Sequence, residues 1–165
     1  MKKIIIFIFI ALNIATYAQK GKFGHVDSNA IFDLMPEKND SKKTLEEYSR
    51  TLEEQMAVLQ KEFETKYTEY QSKSTTWSSS IKELKEDDLM TLQQRIQNFQ
   101  QQAQKDLQEK EASLLEPLYN KIKDAIKTVG EEKALIYVFD VNSLLYFSSE
   151  SVDVTPDVKT KLGIK

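Results

Sequence analysis

The chain has 165 residues, a formal net charge of −3, a pI near 5.4, and 30% charged against 40% hydrophobic residues. Its four Gly and three Pro amount to roughly a third of the usual combined share of about 12%, which argues against a turn-dense sandwich or barrel. With no Cys and one His, thiol nucleophiles, disulfide staples and Cys–His zinc sites are excluded, and no catalytic residue, metal or cofactor is expected.

The first 18 residues have the anatomy of an export signal. Lys2 and Lys3 form a basic start, Ile4–Leu12 is an apolar run too short to span a bilayer, and Thr16-Tyr17-Ala18 offers small residues at the −3 and −1 positions. Cleavage after Ala18 and export follow, with no stable membrane insertion and no access to ATP. The mature chain then keeps 21 basic against 26 acidic residues, so a nucleic-acid partner held by counterion release is disfavoured.

Residues 19–36 and 130–165 read as a β-rich oligomerisation body, and 37–129 as a helical arm. In the first piece, KFGHVDSNAIFDLM predicts a strand over 22–27 and a short helix capped by Asp27 or Ser28, with a break at Pro36.

The middle segment carries no Gly, and Leu45, Tyr48, Leu52, Met56, Leu59, Phe63, Tyr67 and Tyr70 are spaced 3, 4, 4, 3, 4, 4 and 3. That is an eleven-residue repeat, whose apolar stripe follows a straight or slightly right-handed course. Ile81, Leu92, Ala103 and Leu114 repeat at the same interval, interleaved with Ile96, Leu107, Leu118 and Val129. Between the stripes lies SKSTTWSSS, whose hydroxyls compete for backbone hydrogen bonds. Ser80 and Glu83 then have the spacing of a capping box. Two helices packed as an antiparallel hairpin are expected, with the tip near 74–80 and a kink at Pro117.

The last region supplies strands over 134–140 and 144–148. A sheet of about three strands is too small to stand alone and has open edges, so Val26, Ile136, Val138 and Leu145 are expected in a body shared between subunits. The run Ala134–Phe139, apolar on both sides, predicts a strand covered on both faces. A short final helix is expected with Thr155 as N-cap, Pro156 at its first position and Gly163 after its end. The fold class is α+β.

No constellation of catalytic groups emerges. His25 has no nucleophile beside it, Asp27 and Asp140 close strands as caps, and Lys61, Lys66, Lys73, Lys82, Lys85, Arg95 and Lys105 are interleaved with acids, so neither a basic stripe nor an anionic-lipid site is visible. Trp77, in the expected tip, and Val58 and Met90, off the stripes, are the candidate contacts for an unfolded client. Weak grips of this kind hold only when several arms act together.

Taken together, KFGHVDSNAIFDLMPE, the Gly-free segment containing QQRIQNFQQQAQKDLQEKEASLLEP, and the ending ALIYVFDVNSLLYFSSESVDVTPDVKTKL resemble the Skp (OmpH-like) periplasmic chaperone family. The resemblance implies a periplasmic homotrimer whose strands build a central body. Its hairpins would enclose unfolded outer-membrane β-barrel proteins without ATP and keep them from aggregating. The best-known family member is strongly basic and this chain is not, so lipopolysaccharide binding is not carried over. The reading from a different class is a structural coiled-coil spacer or tether of the cell envelope that holds no client.

Overall fold

The structure, a computed structural model, describes residues 22–164; the expected export signal and its cleavage after Ala18 lie outside the described residues. Along the chain, β1 (Lys22–Val26) is followed by α1 (Ser28–Leu34), α2 (Pro36–Lys73), a 3-10 turn (Ser74–Thr76) and α3 (Ser79–Glu132). Then come β2 (Leu135–Asp140), a second 3-10 turn (Val141–Ser143), β3 (Val152–Asp153) and α4 (Thr155–Lys161). The described residues form two compact units: Pro36–Leu118, and 22–35 together with 119–164.

In the second of these units the sheet order is β2-β1-β3, and both pairings are parallel. Phe23, Gly24, His25 and Val26 lie opposite Tyr137, Val138, Phe139 and Asp140, while Lys22 lies opposite Leu135. Ile136 is therefore an extra residue at a bulge, and it is exposed. Because side chains alternate across a strand, Phe23, His25, Tyr137 and Phe139 share one face and Gly24, Val26 and Val138 the other. Helix packing covers only the second face. Val26 is buried there with Ile31 of α1, Ile122, Ala125 and Val129 of α3, and Val154 and Val158 beside and within α4. Each of the Val and Ile side chains contributes about 1.5 to 3 kcal/mol by leaving water.

Local chemistry sets the element ends. The Asp27 carboxylate accepts from Ala30 N–H at 2.9 Å and caps α1. That helix ends at Leu34, and Met35 is extended ahead of Pro36, which then opens α2 where its missing N–H is harmless. The Phe32 and Tyr119 rings stack 5.0 Å apart and pin α1 to the last part of α3.

Three expectations for this unit are corrected. Residues 144–148 are not a strand; the third strand is Val152–Asp153, which pairs with Gly24 and His25. The Asp140 carboxylate accepts from Asn142 N–H at 3.0 Å and turns the chain into a 3-10 turn, which carries the Leu144–Phe147 run out of the sheet and leaves Leu145 and Tyr146 exposed. Ala134–Phe139 is not covered on both faces in the single chain either, since Ile136, Tyr137 and Phe139 are exposed and the strand starts only at Leu135. Finally, the N-cap of α4 is Val154. Asp153 supplies the carboxylate acceptor for Thr155 N–H at 2.9 Å, because the Thr155 hydroxyl is engaged by Asp27 N–H at 3.0 Å. Gly163, at φ 71°, ends the helix as expected.

In the unit Pro36–Leu118, the pairs between α2 and α3 rise in number on one helix as they fall on the other. Lys110 Nζ lies 5.8 Å from the Tyr48 ring centroid, Lys66 is 3.9 Å from Asp88, and Lys85 is 3.4 Å from Glu69. Leu45, Tyr48, Leu52, Met56, Leu59, Phe63 and Tyr70 of the first stripe are half-buried and Leu92 is buried, as a narrow seam requires. Tyr67 of that stripe and Ile81 of the second remain exposed.

Between the helices, the Thr76 hydroxyl donates to the Lys73 carbonyl at 2.7 Å and the Ser72 hydroxyl to the Glu69 carbonyl at 3.1 Å. The Thr76 hydroxyl thus satisfies a carbonyl that the ending helix leaves open, while that of Ser72 back-bonds to the preceding turn. The restart is capped by Ser78, whose hydroxyl accepts from Ile81 N–H at 3.4 Å, and not by Ser80, which already lies inside α3. Helix α3 continues through Pro117 without interruption.

Two backbone positions give opposed expectations for stability. A Cβ on Gly24 would stand 2.7 Å from Leu135 Cδ1 and 3.2 Å from the Val152 carbonyl oxygen, and the latter, as sheet backbone, has no room to move. Gly24→Ala is expected to destabilise by about 1 to 3 kcal/mol. Ala134 holds φ 51° between α3 and β2, where Gly carries no Cβ penalty, so Ala134→Gly is expected to stabilise by about 1 kcal/mol. Urea unfolding of both variants checks the pair; equal shifts of one sign would contradict the packing.

Candidate contact surfaces

The exposed face of the sheet is aromatic. Phe23 stacks on Tyr137 at 6.2 Å, Tyr137 meets Phe139 at 5.8 Å, and His25 lies 4.1 Å from the Phe147 ring. A groove of about 630 Å³ runs over this face between Phe23, Phe139, Leu144, Tyr146, Phe147 and Ser151. The 3-10 turn after β2 carries Leu144–Phe147 out of the strand pairing and over this face, where Phe147 covers His25 while Phe23, Tyr137 and Phe139 stay exposed. Of the residues expected in the shared body, Val26 belongs to the core of the single chain, Val138 is half-buried beside Gly24 and Gly130, and Ile136 and Leu145 face solvent.

A polar hub fastens the edge of this face. The Asp140 carboxylate accepts from the Ser28 hydroxyl and from Asn142, whose side-chain amide also donates to Asp27 at 3.3 Å. Burial pushes the Asp140 carboxyl up, but the hydrogen bonds from Ser28 and Asn142 outweigh it and hold the group below its usual range. The Asp153 carboxyl is likewise lowered, with the Thr155 hydroxyl and N–H overcoming burial and His25 adding a smaller pull. His25 is buried, with Nδ1 2.8 Å from the Ser151 hydroxyl. It ties β1 to the start of β3, which is a structural place for the residue given no role from sequence. Among the described residues, no group of three or more His, Asp or Glu is arranged to hold a metal, and no helix is long and apolar enough to cross a membrane.

On the helical unit, Val58 and Met90 are 67% and 66% exposed, as their positions off the stripes suggest. Trp77 is not open: it is half-buried under Tyr70 and Lys85. Leu84, 69% exposed, is a further apolar side chain open to solvent on this unit, and its place three residues after Ile81 and off the eleven-residue series is the signal that marks it. A shallower groove of about 490 Å³ lies along the seam, lined by Leu52, Met56, Phe99, Ala103 and Leu107, where Ala103 leaves room between larger neighbours. The structure brings none of Trp77, Val58 and Met90 into one cluster.

The lowered Asp140 carboxyl has a consequence for acid stability. Its contribution is complete above the ordinary carboxylate value of about 3.9 and is lost as pH falls through the lower folded-state value. Asp140→Asn is expected to reduce stability at pH 7 by about 1 kcal/mol, the modest figure for a partly solvated charge-assisted contact. The gap should narrow as pH falls below that ordinary value. Chemical unfolding at pH 7 and pH 3 checks this; an equal gap at both values would mean that the amide replaces the carboxylate fully.

Comparison with known proteins places these surfaces in context. The family described as outer membrane protein (OmpH-like) matches residues 22–162. The crystal structure of an OmpH-like protein from Caulobacter crescentus CB15, a proposed outer membrane chaperone, superposes with a TM-score of 0.72 at 14% identity, covering 87% of this chain and 85% of that one. At that identity the likeness establishes the fold alone. No curated protein matches the chain. The family match takes in the sheet, both long helices and the closing α4, that is, every described element, and the chain therefore belongs to the OmpH-like outer membrane protein family.

Proposed function

We propose that the protein is an ATP-independent periplasmic holdase that binds unfolded outer-membrane β-barrel proteins and keeps them from aggregating. Family membership over residues 22–162 is the observation that carries this reading. The arrangement of exposed apolar groups supports it. In the sheet unit these form one continuous aromatic face, suited to a permanent contact. On the helices they are single residues separated by charged ones, suited to weak and reversible contacts.

On this reading three copies share a β body through Phe23, Tyr137, Phe139 and Leu145, and Val138 lies at its inner edge. Each copy contributes one helical hairpin of α2 and α3, with Trp77 at the tip and Val58 and Met90 along its length. A coil-only spacer of the envelope would have no use for the scattered exposed groups on both helices.

Two measurements test the proposal. The mature chain is expected to suppress aggregation of a urea-diluted outer-membrane barrel at near-stoichiometric trimer concentration without nucleotide; a protein that leaves the turbidity unchanged is a spacer. Leu145 is fully exposed in the single chain, so Leu145→Asp leaves the fold of one subunit alone and buries an unpaired charge only if copies assemble through this segment. Sedimentation equilibrium is expected to show a loss of trimer of at least about tenfold in association constant. A trimer unaffected by that charge would rule out this face as the interface.

A further inference from the structure

Trp77 is the only tryptophan of the chain, and it lies half-buried in the turn between α2 and α3. Two side chains cover it. Tyr70 of α2 meets it edge-on, with ring centroids 5.9 Å apart and planes at 62°, and Lys85 of α3 sets its ammonium 5.5 Å from the centroid. The same ammonium is 3.4 Å from Glu69 Oε2 on α2, while Glu69 Oε1 accepts from Lys73 at 3.2 Å. Tyr70 in turn donates its hydroxyl to Glu86, the neighbour of Lys85. One turn further along, Lys66 stands between Glu62 at 3.4 Å and Asp88 at 3.9 Å. A single cation from one helix thus serves both a carboxylate on the other and the face of the indole between them.

We propose that Lys85, held by Glu69, is a clasp that keeps Trp77 folded against Tyr70, and that opening it bares the indole. The links are of a strength that opens readily. The Lys85 and Glu69 side chains are each 38% exposed, and ion pairs and cation–π contacts in such settings are weak and, for the former, screened by salt. They are also interdependent: Glu69 is the α2 carboxylate seen within ion-pair distance of Lys85, so neutralising it weakens the pull that draws Lys85 across the indole. With the clasp open, Trp77 adds to the exposed Ile81 and Leu84 that follow it in the chain. That this surface then receives a client rests on the holdase reading above; the clasp itself does not.

The single tryptophan makes the test specific. In the mature full-length protein without client, Lys85→Met keeps an apolar stem under the indole and removes the charge. Its acrylamide quenching constant is expected to rise about two- to threefold with a red-shifted emission, at unchanged helical circular dichroism. Lys82→Met, a lysine of the same turn outside the clasp, should quench like the parent. Glu69→Gln should give a smaller rise, because Lys85 keeps its place over the ring in part of the population.

Acid provides an internal check. Hydrogen bonds from Lys73 and Lys85 hold the Glu69 carboxyl below the usual range. Quenching of the parent at low salt should therefore rise as pH falls below about 4, and that of Lys85→Met should not. Unchanged quenching in both Lys85→Met and Glu69→Gln would overturn the clasp. So would a loss of helix in Lys85→Met, since Lys85 would then be holding the backbone. A Lys85→Met protein with raised quenching but parental suppression of client aggregation would overturn only the link between the clasp and client capture.

Discussion

Strand β1 is the constraint on which the sheet unit depends. Its five residues, Lys22–Val26, are paired on both sides by strands from the far end of the chain, β2 and β3, and all three run parallel. Parallel neighbours need long crossovers, and here the crossover from β1 to β2 includes both long helices. The polar hub of Asp27, Ser28, Asp140 and Asn142, with Thr155 on Asp27 N–H, fastens the same junction where β1 gives way to α1. Gly24 is the closest point of that junction, since a methyl group there would meet both a β2 side chain and the β3 backbone.

This junction leaves one face of the sheet packed and the other aromatic and open. Val26 sits among the buried aliphatic residues, whereas Phe23, Tyr137 and Phe139 on the opposite face pack mainly on one another. A sheet of three strands, one of them two residues long, gains little from its own pairing, so the open face is where the proposed association would add most. The helices behave differently. Their seam is a narrow stripe with few fully buried residues, and their polar surfaces carry i,i+4 pairs such as Lys42–Glu46 and Lys105–Glu109 that are worth only a few tenths of a kcal/mol each.

Much of this was legible in the sequence. The helix starts and stops followed from Asp27, Pro36, the hydroxyl-rich SKSTTWSSS and Gly163, because these residues act on their immediate neighbours. The eleven-residue series located the seam, since periodicity reports which side of a helix is covered. What failed was the choice among competing local caps, and the pairing that is non-local. Leu144–Phe147 has the composition of a strand, but the Asp140 cap redirects it. Nothing local marks the two residues Val152 and Asp153 as the ones that complete the sheet. Capping by Ser78 in place of Ser80 turned on where α3 begins, and capping by Asp153 in place of Thr155 on the Thr155 hydroxyl being engaged by Asp27 N–H. The cover over Trp77 depends on Lys85, a residue eight positions away on the next helix, which no local pattern reveals.

Both long helices present mixed charges and isolated apolar groups, so the account rests on holding a client through many weak apolar contacts at high effective concentration. The salt dependence of client affinity tests this most directly, because screening weakens charge pairing between exposed groups and leaves apolar contacts intact. With an unfolded outer-membrane barrel as ligand, the dissociation constant is expected to change by less than about tenfold between roughly 0.01 and 0.15 M sodium chloride. A fall in affinity of several orders of magnitude would contradict the account and assign the holding to a concentrated charged site.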